Sequence, residues 1–248
     1  MTLVGSALER PTGDAGASGG LPDGLGEDLA AASLVLARRL HAGATLWCAS
    51  PAWPHHAQHV AVEFVHPVVV GKRALPAVAL SSADLVPTAR ANARPGDVLL
   101  VVGDADDHRV RDLVRRAGAW GVMVLWIGQA ARPAAGAADH VLWLPEDRLA
   151  AHDGRFILLY HLLWELSQVC LEHEGLLAPE PECTGPVCIT CSDEGRLAEV
   201  AHTSGSTARV RTADGDEDVD LALVGPAEPG DLLVVHAGMA ITRLDAPA

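Results

Sequence analysis

The sequence lacks a hydrophobic run long enough to cross a membrane, and it has no excess of positive charge. Its apolar runs, such as VLLVVG and VMVLWIG, stop well short of the roughly 20 residues that a spanning helix needs. The 248 residues carry a formal net charge of -14, which repels the phosphates of nucleic acids and anionic lipids. We therefore expect neither a membrane span nor a nucleic-acid partner.

Cysteine is scarce, and its five residues are an odd number that cannot all pair in disulfides. The first residues lack the basic end and the sustained apolar stretch of a secretory signal. Both features predict a cytoplasmic protein. Hydrophobic residues make up 49% of the chain, which is enough for a buried core that needs no covalent crosslinks.

Hydrophobic periodicity divides the chain into four segments. Residues 1–24, rich in Gly, Ser, Pro and Ala, predict a disordered tail. Residues 25–177 alternate helical patterns with short apolar runs, which predicts a doubly wound α/β domain with a parallel sheet covered on both faces. Residues 178–186 contain the prolines of a linker. Residues 187–248 show short strands between turn signals, which predicts a small all-β, OB-like barrel.

Two stretches near the C-terminus, VDLALVGPAEPGD and GDLLVVHAGMAITRLD, resemble the HypC/HupF family of hydrogenase-assembly chaperones. The resemblance implies an accessory chaperone in [NiFe]-hydrogenase maturation. Its partners would be the hydrogenase large-subunit precursor and the scaffold protein on which the iron fragment is built. In that family a cysteine and a histidine help to hold the iron fragment in transit, and the matching residues here are Cys188 and His236.

The chemistry of this pair suits such a cargo. A thiolate is a soft ligand for low-spin iron that carries carbonyl and cyanide, and an imidazole adds a nitrogen ligand or a proton acceptor. The alternatives are a small buried hydrophobe at Cys188 and a strand histidine that caps a backbone group at His236. The chain also departs from the family, because Cys188 does not follow an initiator methionine and Thr190-Cys191-Ser192 replaces a proline. We also expect it to lack the usual C-terminal helix.

A zinc site is a further alternative for the cysteines in this region. Cys183, Cys188 and Cys191 form a C-x4-C-x2-C set. Three thiolates and a histidine such as His202 or His236 would complete a tetrahedral site.

The larger domain resembles the sugar isomerase (SIS) fold and, within it, the phosphoheptose isomerase branch. The resemblance is carried by ATLWCASPAWPHHAQHVAVEF, PAVALSSAD, RPGDVLLVV, ADHVLWLP and FILLYHLLWEL. That branch has a metal site on two helices, and the matching residues are His59, Glu63, Asp153 and His161, with Asp153 in place of a glutamine. Two nitrogens and two carboxylates suit zinc or a similar divalent ion. SIS domains also pair through their helices, which implies a homodimer or homotetramer.

Other interpretations of these residues stay open. An HxxxE pair is also typical of a solvated helix face, and a histidine such as His161, flanked by LLY and LLW, is typical of a helix core. The family's phosphate-binding loops are altered to Ser50–Trp53 and Gly103–Asp107. Pro51 removes a backbone hydrogen-bond donor, and Trp53 fills the space that a phosphate would occupy. The three aspartates of the second loop repel a phosphate ester. Asp106 and Asp107 are alternatively a helix N-cap, and Trp53 is alternatively plain packing.

These observations favour a non-enzymatic accessory protein. In this hypothesis a degenerate SIS domain supplies dimerisation or docking, and the barrel behind it handles the iron fragment or the hydrogenase precursor. The alternative is a metal-dependent, sugar isomerase-like enzyme that acts on a small non-phosphorylated substrate, in which Glu63 also moves protons.

Overall fold

A computed structural model describes residues 22, 24–81, 83–144, 154–178 and 195–244. Nearly all of the predicted tail and linker lie outside these residues, as do Asp153 and the cysteines at 183, 188 and 191. The boundaries of the four predicted segments therefore stay predictions. None of the described helices is long and apolar enough to span a bilayer.

The described residues up to 178 fold as a parallel sheet with helices on both faces. The strands are β1 (Leu46–Ala49), β2 (Ala77–Ala79), β3 (Val98–Val102), β4 (Met123–Gln129) and β5 (His140–Leu144). The helices are α1 (Leu25–His41), α2 (Pro54–Val65), α3 (Leu85–Asn92), α4 (His108–Ala119), α5 (Arg155–Leu171) and α6 (Glu174–Leu177). All neighbouring strands are parallel, in the order β2-β1-β3-β4-β5. The predicted α/β fold is confirmed.

Strands β1, β3, β4 and β5 bury side chains on both faces of the sheet, which explains why they appear in the sequence as continuous apolar runs. In β3, Val98, Leu100 and Val102 pack in the core formed with α1, α2 and α5. Leu99 and Val101 pack in the second core, with α3 and α4. The sheet therefore separates two helical layers, and α2 and α5 lie together on one of them.

Two helices escape the sequence analysis because they are short. Helix α3 has eight residues and α6 has four, which is too few to show an apolar period. Helix α3 also contains Pro87, but in its first turn, where the missing N–H has no partner within the helix to lose.

The described residues from 195 onward form a closed five-stranded barrel. Its strands are β6 (Arg196–Ser204), β7 (Thr207–Thr212), β8 (Gly215–Asp220), β9 (Leu232–His236) and β10 (Met239–Leu244). They are ordered β10-β8-β7-β6-β9, with β9 and β10 paired to close the barrel. The pairs are antiparallel except β8 with β10, which meet in one parallel bridge. The predicted small all-β barrel is confirmed.

One strand of the barrel begins earlier than its sequence suggests. The segment DGDE is typical of a turn and VDLALVG of a strand, yet β8 starts at Gly215 and ends at Asp220. Cross-strand pairing explains the difference, because Asp216 and Asp218 lie opposite Arg211 and Arg209 on β7. Opposite charges facing each other across a ladder stabilise strand residues that have poor intrinsic strand propensity.

The barrel is anchored to the α4 side of the sheet by one buried carboxylate. Glu199 on β6 is 3% exposed. It accepts hydrogen bonds from Arg90, from Arg116 Nη1 at 2.5 Å and from Trp120 Nε1 at 2.7 Å. Arg116 also donates to the carbonyl oxygen of Gly230 at 2.7 Å. The α/β domain and the barrel thus share a charged contact in which each acceptor is met by donors.

Apolar contacts continue this interface. Leu232 is buried in the α4 core, and Leu197 and Leu244 pack against it. Gly121, at the end of the α4 layer, has a φ of 70° and lies so close to the β7–β8 turn that a β-carbon would sit 3.0 Å from Ala213 Cα. Only glycine combines that backbone conformation with so close an approach.

Candidate functional site

Helices α2 and α5 bring three of the four predicted metal ligands together. His59 and Glu63 share a face of α2 because residues four apart lie one above the other on a helix. His161 lies on α5, which packs against α2. Its Nε2 is 3.2 Å from His59 Nε2 and 3.6 Å from Glu63 Oε2. Asp153, the fourth predicted ligand, lies outside the described residues.

The spacing of these three groups fits one small divalent cation. Ligand atoms about 2.05 Å from a tetrahedral zinc ion lie about 3.3 Å from one another, close to the two distances of 3.2 and 3.6 Å. One ligand atom from each residue lies within 4.8 Å of the others, and all three residues are half-buried. Two imidazoles and a carboxylate are also the protein ligands of one class of catalytic zinc site. The residues present therefore fit a zinc-like ion.

A tyrosine that the sequence analysis did not single out orients the first of these histidines. Tyr160, the only tyrosine in the chain, places its Oη 3.0 Å from His59 Nδ1 and 3.4 Å from His56 Nδ1. A metal-binding imidazole donates its second ring N–H to an oxygen, which fixes both its tautomer and its orientation. With Nδ1 of His59 facing the phenol, its Nε2 is directed towards His161.

The environment of Tyr160 keeps the phenol neutral. Burial raises the pKa of Tyr160 to about 12, and the negative charge of Glu63 adds to the rise. The hydroxyl therefore keeps its proton throughout the physiological range. It serves His59 as a neutral hydrogen-bonding partner.

Aromatic rings enclose the inner end of this network. His56 is 1% exposed and meets both Trp53 and Phe156 edge to face. Trp53 packs against the core of the α2 and α5 layer. This position supports the packing alternative for Trp53.

The loops that follow β1 and β3 carry acidic or neutral groups where the isomerase family binds phosphate. Ser50 is 2% exposed, and its Oγ finds no hydrogen-bond partner among the described residues. Burial raises the pKa of Asp104, and the charges of Asp106 and Asp107 raise it further. A second anion would add to this repulsion. The expectation that these loops disfavour a phosphate ester at the place where the isomerase family binds one stays a prediction.

The N-cap alternative is confirmed for Asp107. Its Oδ1 accepts the backbone N–H of Arg109 at 2.9 Å at the start of α4. Burial opposes ionisation of Asp107, but the hydrogen bonds and the charge of Arg109 outweigh it and hold the pKa of Asp107 below its usual range.

His236 lies at the end of β9, where a tight turn leads into β10. Ala237 and Gly238 both have positive φ values, and His236 pairs with Met239 across this turn. On its other side, β9 pairs with β6 so that Val235 is opposite Arg196. The chain thus enters the barrel, at Gly195, beside His236. Cys188 lies outside the described residues, so its pairing with His236 stays a prediction.

Sequence reasoning missed the two residues behind the metal ligands, although a signal for them exists. His56 lies three residues before His59, on the same helix face. Tyr160 directly precedes His161, so helical geometry directs its side chain elsewhere, towards the sheet and α2. Its partnership with His59 depends on how the two helices pack, which the sequence alone does not give.

Comparison with known proteins separates the two halves of the chain. Residues 195–248 match the HupF/HypC family. This match confirms the resemblance that the β9–β10 sequence indicates. No curated protein matches the chain significantly.

The α/β half resembles solved phosphoheptose isomerases. The enzyme from Francisella tularensis is 18% identical and aligns with a TM-score of 0.51, over 59% of this chain and 88% of its own. The enzyme from Neisseria gonorrhoeae is 22% identical, with a TM-score of 0.48 over 60% of this chain and 87% of its own. At such identities the first likeness shows a shared SIS-like fold and leaves the reaction open.

Proposed function

We propose that the chain is an accessory chaperone in [NiFe]-hydrogenase maturation whose C-terminal barrel handles the iron fragment. The observation that carries this proposal is the HupF/HypC match over a closed barrel. In this proposal His236 supplies an imidazole nitrogen or a proton acceptor, and Cys188 supplies a thiolate. The iron fragment is cargo that the chain receives and passes on.

The entry of the chain into the barrel supports a partnership between Cys188 and His236. Gly195 adjoins Arg196, whose partner Val235 immediately precedes His236. Cys188 is seven residues before Gly195, and an extended chain of that length spans at most about 25 Å. A connection of this length allows the thiol to reach the imidazole, although Cys188 is not the first residue of the barrel as in the family.

Exposed apolar side chains beside His236 support a protein partner. Met239, which pairs with His236, is 37% exposed, and Ile241 on the same strand is 46% exposed. Apolar groups next to a polar anchor are typical of protein interfaces. We assign this surface to the hydrogenase large-subunit precursor and the iron-fragment scaffold protein.

The α/β domain then serves for docking or for pairing of copies. Val62 on α2 and Leu158 on α5 are each more than half exposed on helices that flank the histidine cluster. A homodimer or homotetramer through this layer would bury them. Light scattering should therefore give a multiple of the chain mass for the wild type and a lower mass for Leu158→Glu. Equal masses for the wild type and Leu158→Glu would contradict a role of α5 in the pairing of copies.

Affinity co-purification from the native host tests the chaperone proposal. The wild type should retain the large-subunit precursor or the scaffold protein, whereas Cys188→Ala and His236→Ala should lose them. His202→Ala and Cys170→Ala are matched controls, because His202 is exposed on β6 of the same barrel and Cys170 lies on α5. Failure of the folded wild-type protein to retain either partner would contradict the proposal.

A second candidate function is favoured by the geometry of the histidine cluster. In this candidate His59, Glu63 and His161 hold zinc or a similar ion, with Asp153 as the fourth ligand. A bound divalent ion supplies a Lewis acid that polarises a carbonyl oxygen. Glu63 would move a proton on a small non-phosphorylated hydroxycarbonyl compound, and the Tyr160 phenol would hold His59 in its ligating tautomer.

Turnover separates this enzyme candidate from the chaperone. Zinc-loaded wild type should interconvert a small hydroxycarbonyl compound such as dihydroxyacetone, and Glu63→Ala should abolish the activity. Glu165→Ala removes an exposed carboxylate from α5 and should leave the rate unchanged. A zinc-loaded wild type that turns over no such compound would contradict the enzyme candidate and leave the chaperone proposal untouched.

A further inference from the structure

A separate cavity opens on the opposite side of the sheet from the histidine cluster. It has a volume of about 430 Å³ and is lined by α4 and by the loops that follow β3 and β4. Trp126 on its wall belongs to the core formed with α4, whereas α2 and α5 pack in the other core. The cavity therefore shares no wall with the metal cluster. Its volume lies in the range of small-molecule sites, roughly 300 to 1,000 Å³.

The charge of this cavity contrasts with that of the whole chain. Arg111, Arg115 and Arg132 line it together with a single carboxylate, Asp106. The chain as a whole carries a net charge of -14, so a gathering of three guanidinium groups stands out against an acidic background. A concave surface with a local positive charge concentrates anions from solution.

Arg111 and Arg132 make contacts that leave hydrogen-bonding capacity for a ligand. Arg111 Nη1 donates to the carbonyl oxygen of Ala105 at 3.3 Å, and a guanidinium has four further N–H groups. Arg132 meets Asp28 at 3.4 Å, but both side chains are largely exposed, and such pairs contribute little. A carboxylate or phosphate that enters the cavity can displace this contact at low cost.

The rim opposite α4 is fixed in an unusual backbone conformation. Ala130, at the start of the β4–β5 loop, has a φ of 66°, in a region that alanine rarely adopts. Its carbonyl oxygen accepts the indole N–H of Trp143 at 3.0 Å. Trp143 in turn packs against Gly128 so closely that a β-carbon there would lie 2.3 Å from the ring. The start of the loop that carries Arg132 is thus anchored to the core.

The wall between the arginines is apolar. Val114 and Trp126 are buried in the α4 core and also line the cavity, and Pro133 joins them from the loop. Sites for small organic ligands combine such walls with a few convergent polar groups. Guanidinium groups match the planar or tetrahedral oxygens of carboxylates and phosphates.

We propose that this cavity binds a small organic anion that joins a carboxylate or phosphate group to an apolar portion. Arg115 on α4 and Arg132 on the β4–β5 loop hold the anionic group from two sides, and Arg111 on α4 donates a further hydrogen bond. The indole of Trp126 contacts the apolar portion. This site is independent of both candidate functions above.

Titration calorimetry on the full chain at low ionic strength tests the site with defined probes. Phenyl phosphate and benzoate are the anionic probes, and phenol is the neutral probe of similar shape. At least one anion should bind the wild type, and phenol should bind about tenfold more weakly or worse, because hydrogen bonds to charged groups contribute more than neutral ones. Comparison of the two anions distinguishes a phosphate site from a carboxylate site.

Two exposed arginines provide the test variants. Arg115→Ala combined with Arg132→Ala should weaken anion binding about tenfold or more, and Arg132→Ala alone should weaken it less. Arg209→Ala removes an equally exposed arginine from the barrel and is the matched control. Absence of anion binding to the wild type, affinity that the double variant retains, or phenol binding as tight as that of the anions would each overturn the proposal.

Discussion

Two polar centres of this chain differ in how completely their groups are paired. At the barrel interface, the Glu199 carboxylate meets two guanidinium groups and an indole N–H. In the cluster between α2 and α5, His161 instead meets a second imidazole and the Glu63 carboxylate, so three electron-pair donors converge on one region. Glu199 on β6 meets side chains from the α3 and α4 side of the sheet, whereas the cluster lies on α2 and α5 at the opposite face.

The difference teaches how to separate structural from functional polar groups. A buried carboxylate surrounded by matched donors has its desolvation offset by hydrogen bonds and charge, which makes it a structural contact. A group of acceptors directed at one another is stabilised only by protons or by a cation, which makes it a candidate binding site.

The largest effect should come from removal of the matched centre. Glu199→Ala leaves Arg90 and Arg116 facing each other at the barrel interface without their shared carboxylate. Since both arginines are partly exposed, we expect the free energy of unfolding to fall by about 2–4 kcal/mol. Urea denaturation measures this change.

A second carboxylate of the barrel provides the control for Glu199. Glu217 pairs with Arg196, but this arginine is largely exposed, so Glu217→Ala should cost less than about 1 kcal/mol. Equal losses in the two variants would mean that the Glu199 contact contributes no more than a surface pair.

The unmatched centre should respond through metal affinity instead. The wild type should bind one Zn²⁺ in competition with a chromophoric chelator, and His59→Ala or His161→Ala should lower the affinity about 100-fold or more, since even outer partners of metal ligands contribute 10- to 100-fold. His66→Ala, at the exposed end of α2, is the control and should bind as the wild type does. Unchanged affinity in both ligand variants would refute the metal site.

Tyr160 provides a smaller and more local test. Because it is the only tyrosine, ultraviolet absorbance of the phenolate reports it alone. Its pKa should be about 12 in the folded chain and near its ordinary value of 10.0 in guanidinium chloride. The folded state then holds the phenolic proton more tightly, so the resulting stability is complete below pH 10 and is lost as the pH rises towards 12. A folded-state pKa near 10 would contradict the burial of this phenol beside Glu63.

The sequence predicts most of the fold because both halves have strong periodic patterns. Continuous apolar strands such as β3 and β4 specify a sheet covered on both faces, and turn residues at regular intervals specify the barrel. Pattern reasoning fails where tertiary pairing decides. Asp216 and Asp218 belong to a strand only because arginines lie opposite them, and α3 is too short to show a period.

The sequence predicts the ligands of the candidate site but not the residues that position them. The i, i+4 spacing of His59 and Glu63 identifies a shared helix face, and the family resemblance adds His161. The resemblance cannot supply Tyr160, Glu199 or the arginine-lined cavity, because each depends on which helices and loops pack together. Local spacing thus finds ligands on one element, and packing determines the partners that position them.

Genetic complementation in the native host tests the central claim most directly. Deletion of the gene should leave the hydrogenase large subunit unprocessed and abolish hydrogenase activity in cell extracts. The wild type and His202→Ala should restore activity, whereas His236→Ala and Cys188→Ala should not, at equal protein levels. Normal hydrogenase activity in the deletion strain, or full restoration by His236→Ala, would contradict the assignment of this barrel to hydrogenase maturation.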